Sequence, residues 1–205
     1  MLLAIDTSAG TSVAIVDPSS GRVLAEASTP DTMRHAEVIG TLLADVLERA
    51  SLRPRQLDGV VAGMGPGPFT GLRVGIAAAR TFALGAGLPL LPLVSADAVA
   101  REQHATGASD RILVVTDARR KEVFWSLYDL SGAEPLRIDG PGLAKPDALP
   151  HAGARRVDAA EIPASQLGLA AAALQRAGLP LEPDEALYLR SPDVTMPSGI
   201  KRVTQ

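Results

Sequence analysis

Cysteine is absent from the 205 residues, which excludes disulfides, thiolate metal sites and a cysteine nucleophile. Aromatic residues are scarce: three Phe, two Tyr and one Trp. A base-stacking platform for nucleic acid is therefore not expected, and the core must be built from Ala, Leu, Val and Ile. Neither sign of charge dominates. Lys and Arg number 20 against 23 Asp and Glu, a net charge of −3, which argues against a broad basic face that binds nucleic acid by itself. No run reaches the roughly 18 apolar residues of a membrane span. The first apolar run stops at Asp6 with no basic stretch before it, unlike a secretory leader. With 46% hydrophobic and 21% charged residues, the expectation is a globular, cytoplasmic protein with no membrane partner.

What is present falls into an ordered series. Leu2 to Ile5, Ser12 to Val16 and Val23 to Ser28 read as three strands joined by short polar turns, an antiparallel meander. From Met33 to about Ala50 the period becomes 3.6, with Val38, Ile39, Leu42, Leu43, Val46 and Leu47 as the apolar stripe and Asp31 or Thr32 as the expected N-cap. Gly59 to Ala62 is a fourth strand, Thr70 to Gly85 a second helix, Leu90 to Val94 a fifth strand, and Ala96 to His104 a helix capped by Ser95. Strands reached through helical crossovers run parallel with right-handed connections. Gly107-Ala108-Ser109 marks an expected boundary, dividing the chain into an N-terminal subdomain over 1–106 and a smaller, abbreviated one over 107–205.

The second part repeats the opening of the first. Ile112 to Thr116 ends at Asp117, Glu122 to Tyr128 ends at Asp129, and Glu134 to Ile138 follows. The two Asp residues are twelve apart, against eleven for Asp6 and Asp17, which reads as a duplicated three-strand unit. Beyond it, Pro141, Pro146 and Pro150 flank at most a short helix, Arg155 to Val157 is a small strand, and Ser165 to Ala177 is a helix closed by Gly178. The end around Lys201-Arg202 is expected to fray.

The stretch from Val60 to Gly75 has the strand, glycine loop and helix layout that can surround a phosphate. It lacks the Lys of a Walker loop, and Pro66 and Pro68 remove two N–H donors. Against the phosphate reading stands a rigid Gly-Pro turn that packs a strand on a helix. Gly71 and Gly75, four apart in the helix, require something to approach closely: another helix or a bound group. Asp6-Thr7-Ser8 reads equally as turn chemistry. His35, in the first turn of its helix, is expected at the surface or an interface, since the second ligand a helical zinc site needs four residues on is Ile39. No nucleophile elbow or other catalytic set is found.

Leu3-Ala4-Ile5-Asp6-Thr7-Ser8, Ser12-Val13-Ala14, the His35 helix, the block Gly65-Pro66-Gly67-Pro68-Phe69-Thr70-Gly71-Leu72-Arg73-Val74-Gly75, and the tail Tyr188-Leu189-Arg190-Ser191-Pro192-Asp193 together resemble the bacterial TsaB (YeaZ) family over nearly the whole chain. Two features depart from that family: Pro68 stands where Ser is usual, and the region from Pro141 to Pro163 is short.

The resemblance implies an α/β, actin-like, sugar-kinase-like (ribonuclease H-like) fold of two duplicated β-β-β-α units with mixed sheets flanked by helices. It implies a non-catalytic scaffold subunit in making threonylcarbamoyladenosine beside the tRNA anticodon. That subunit would support a TsaD-like catalytic subunit together with a TsaE-like ATPase, with a homodimer as a further state and tRNA met only through the complex. TsaD holds a metal through a helical His-x-x-x-His pair, which here would be His35 and Ile39, so no metal is expected. No cofactor is expected either; ATP or ADP would enter only within the complex. Asp6, Thr7, Ser8, Gly65, Gly67, Thr70 and Gly71 are then vestigial phosphate loops, and His35, Arg73, Gly75, Ala79 and Arg80 are candidates for the partner interface. The competing readings are an ATPase or kinase-like enzyme using Asp6, Thr7 and the loop from Gly65 to Gly71, a peptidase by family label alone, and direct tRNA contact through Arg119-Arg120-Lys121.

Overall fold

A computed structural model describes residues 1–190; Ser191-Pro192-Asp193 and the Lys201-Arg202 end lie outside them. Strands β1 (Leu2–Asp6), β2 (Thr11–Asp17), β3 (Arg22–Thr29), β4 (Gly59–Gly63) and β5 (Leu90–Leu93) form one sheet in the order β3-β2-β1-β4-β5. The first three are antiparallel; β4 and β5 run parallel to β1. Strands β6 (Arg111–Asp117), β7 (Val123–Asp129), β8 (Leu136–Ala144) and β9 (Arg155–Asp158) form a second sheet, β8-β7-β6-β9. Its order repeats the first four positions of the first sheet, with β9 parallel to β6. This is the duplicated, actin-like arrangement the sequence implied.

The first sheet is covered on both faces, which is why its central strands are continuous apolar runs rather than alternating ones. The β1 side chains Leu3 and Ile5 pack with Val13, Ile15, Val60 and Ala62 against helices α1 (His35–Arg49) and α2 (Phe69–Ala86). Leu2 and Ala4 point the other way, with Ala14, Val16 and Val61, into a core completed by helices α3 (Ala96–Ala105) and α4 (Ala164–Ala177). Helix α4 follows the second sheet in sequence yet lies on the first. Gly168 permits this: a Cβ there would stand 2.9 Å from Val16 Cγ2.

Ile112, Val114 and Tyr128 of the second sheet join that same core. Among the described residues, its other face carries a small cluster, Leu113, Val115 and Leu127, beside Leu149 and Ala154. Where the first half has a long helix, the second has a three-residue 3₁₀ turn, Pro146–Ala148.

Three local expectations need correction. The N-cap of α1 is Arg34, without a side-chain cap bond; Asp31 instead accepts from the Met33 N–H. Ser95 stands at the start of α3 but does not cap it; its hydroxyl accepts from Gly65 N–H, 3.1 Å away. Strand β8 runs on through Pro141, which an edge strand tolerates because no ladder N–H is lost; Gly142 leaves room there for the Trp125 indole.

Candidate functional site: the interlocked loops beneath helix α2

The β1–β2 turn and the glycine loop are fitted into each other. The Thr7 hydroxyl donates to Gly71 O at 2.8 Å and accepts from Gly75 N–H at 3.0 Å. Those two backbone groups are an i, i+4 pair of α2, so Thr7 is inserted into a helical hydrogen bond of its neighbour. A Cβ on Gly75 would overlap the Thr7 hydroxyl, and one on Gly71 would stand 2.7 Å from His35 Nε2. The close approach that the two glycines require is therefore internal. It is taken up by Thr7 of the β1–β2 turn and by His35 of helix α1.

Ser8 closes on Asp6: its N–H and hydroxyl both donate to Asp6 Oδ1, at 2.7 and 2.6 Å. Gly67 lies against the same turn, with room for no side chain beside Ser8 Cα. Asp6 is buried, and burial raises its carboxyl pKa above the ordinary value, outweighing the Ser8 bonds that pull it down. Its Oδ2 has no hydrogen-bond partner among the described residues, though the nearby Ser95 hydroxyl holds the carboxyl pKa somewhat lower. Between this turn and the second sheet, Ser8, Pro66, Ser95, Thr116, Trp125 and Ile162 enclose about 10 Å³, the space of roughly one water. Thr70 is exposed in the first turn of α2.

The interface candidates divide. His35 is not a surface residue but 7% exposed; its Nδ1 lies 2.7 Å from Thr11 Oγ1, and burial lowers its pKa. Ile39 beside it belongs to the core. Gly75 and Ala79 are buried on the inward side of α2, so they are unavailable to a partner. The buried small residues of α2 let Thr7, His35 and the sheet approach. Arg73 and Arg80 do face outward, but the segment after α4 already engages them. Arg73 Nε donates to the Tyr188 hydroxyl at 3.0 Å and its guanidinium lies 3.9 Å over the Phe69 ring; Arg80 pairs with Asp184 at 2.8 Å. The sequence marked Tyr188-Leu189-Arg190 as part of a family motif, but the contacts of this segment with α2 had no signal, because it has no periodicity.

The family profile described as "TsaD: tRNA N6-adenosine threonylcarbamoyltransferase" matches residues 22–182. The chain belongs to this family. Within it the TsaB (YeaZ) assignment holds. Uncharacterized proteins of Mycobacterium leprae and Mycobacterium tuberculosis are 37% and 36% identical, each over 94% of this chain; the chain spans 55% of the length of the first and 92% of the second. TsaB of Escherichia coli, named as a tRNA threonylcarbamoyladenosine biosynthesis protein, is 33% identical over 94 residues, 46% of this chain and 41% of its own. The structure of YeaZ from Pseudomonas aeruginosa superposes with a TM-score of 0.76 at 26% identity, covering 92% of this chain and 99% of YeaZ. Among the described residues of this TsaB-type chain, no group of three His, Cys, Asp or Glu side chains could hold a metal. No helix there is long and apolar enough to cross a membrane.

Proposed function

We propose that this chain serves threonylcarbamoyladenosine formation in tRNA as a non-catalytic subunit. One observation carries the reading: three groups that would hold a phosphate donate within the fold instead. Thr7 is buried in α2, Ser8 on Asp6, and Gly65 N–H on Ser95. The partner in this reading is a TsaD-like catalytic subunit, assisted by a TsaE-like ATPase in the cytoplasm, with tRNA met through the assembly. A homodimer is the form expected without that partner. The docking surface is the exposed side of α1 and α2, through Ala36, Gly40, Ala44, Ala77 and Leu84. Reconstitution of tRNA modification from purified subunits, with and without this chain, is the test. Modification that requires the chain supports the reading; equal modification without it overturns it.

A second reading, a nucleotide-hydrolysing enzyme, is favoured by Asp6, since a buried carboxyl with a raised pKa marks many catalytic sites. It requires ATP turnover by the chain alone that Asp6→Asn abolishes. Absence of turnover in the unaltered chain rejects it.

A further inference from the structure

A cavity of about 370 Å³ lies between α3, α4, the β7–β8 turn and the segment following α4. It shares no lining residue with the cleft beside Ser8, and its volume is that of small-molecule sites. The two walls differ. On one side, α4 presents Ala170, Ala173, Leu174 and Ala177. Leu136 and Leu179, 63% and 54% exposed, continue that apolar wall outward.

On the other side, the Tyr128 hydroxyl donates to Asp97 Oδ1 at 2.7 Å. Arg137 is held in a close ion pair by Glu182, and its Nε is 3.7 Å from Asp97. Arg101 pairs closely with Glu134. Three carboxylates thus meet two guanidiniums. Asp97 has no cation to itself, because it shares Arg137 with Glu182. A ligand that completes this wall brings one positive charge, and the opposite wall calls for a compact apolar body beside it.

We propose that this cavity binds small amphipathic amines, with Asp97 as the counter-ion of the ammonium group and α4 as the seat of the apolar body. Burial raises the Asp97 pKa to about 6, so the carboxylate is charged at neutral pH, and an ammonium beside it lowers that value again. The other charged or titratable groups around it are Tyr128, Arg137, Glu182, Arg101 and Glu134. None of these residues belongs to the interlocked loops, and the inference stands independently of the tRNA-modification reading.

The test uses the full chain and a matched set of probes: hexylamine and phenethylamine, with hexanol and hexanoate as neutral and anionic counterparts. Saturation-transfer NMR detects binding and calorimetric titration measures it at neutral pH. The expected result is amine binding at least tenfold tighter than that of the alcohol or the acid. Asp97→Asn should lose that advantage while keeping the alcohol's weak affinity. Ala170→Leu, which narrows the cavity away from the charges, should weaken every probe and serves as an independent second variant. Equal binding of amine, alcohol and acid overturns the proposal. So does the absence of amine binding at millimolar concentration, or amine binding that both variants leave unchanged.

Discussion

Thr7 sits where two requirements meet. Its hydroxyl must satisfy both Gly71 O and Gly75 N–H, and its bulk must fit where no Cβ stands in its way. Gly75→Ala should therefore destabilise the protein by about 2 kcal/mol or more, although Ala is the better helix former by about 1 kcal/mol. Thr7→Ala should cost about 1–3 kcal/mol through the lost hydrogen bonds. The double variant should be more stable than the sum of the two losses implies, because Thr7→Ala removes the atom that the new methyl strikes. Urea titration of the four proteins measures this coupling; strict additivity would contradict the insertion. The glycine spacing was legible in the sequence, but its cause was not. Thr7 and Gly75 are 68 residues apart, and only the pairing of β1 with β4 brings them together.

Asp97 supplies a second prediction at this scale. Its folded pKa of about 6 lies above the ordinary 3.8. The folded state thus holds this proton where the unfolded chain has released it, so the group lowers stability as pH rises from about 4 to 6. Asp97→Asn should remove that slope, gaining up to about 3 kcal/mol relative to the parent above pH 6. Denaturant midpoints of both proteins across that range decide it; parallel pH profiles would refute the shift.

The elements show which faces are free. The amphipathic stripe of α1 was readable, and so were the positions of α2 and α4. The inward side of α2 was readable as well, with Gly71, Gly75, Ala79 and Ala83 among Leu72 and Ile76; what approaches it was not, because Thr7 and His35 reach it from distant segments. The way the segment from Leu179 to Arg190 is held was hidden, although Tyr188-Leu189-Arg190 stood out as a motif. It is held by single contacts rather than by a repeating pattern: Leu187 N–H to Met64 O, Arg80 to Asp184, Arg73 to Tyr188, and Arg190 to Ala118 O. Tyr188 lies 5.0 Å from Phe69 between ring centres. Tyr188→Ala should cost about 1–2 kcal/mol and loosen residues 182–190 before the rest. Hydrogen exchange read peptide by peptide checks this; uniform protection across the chain would refute it.

At the scale of the whole molecule, the repeated strand order was visible in the spacing of Asp6 and Asp17 against Asp117 and Asp129. The reach of α4 was not, because a helix's sequence tells which face is apolar and not which sheet it covers. Leu84, 85% exposed on α2, tests the proposed docking face better than Ala79. Leu84→Glu should leave stability within about 0.5 kcal/mol yet weaken association with the TsaD-like subunit. Size-exclusion chromatography of the mixed proteins reads the outcome, and undiminished co-elution would place the docking surface elsewhere.

The placement of α4 bears on how the chain is made. A ribosome releases β1 to β5 long before residues 164–177 emerge. Until then Leu2, Ala4, Ala14 and Val16 have no helix α4 above them. The nascent first sheet is a half-covered slab during most of synthesis, and it closes only when nearly the last described element arrives. Ribosome-bound chains stalled short of Ala164 should consequently be protease-sensitive throughout the first sheet, whereas chains extended past the exit tunnel beyond Gly178 should not. Early protection of the shorter chains would show that the first half closes without its late-arriving cover.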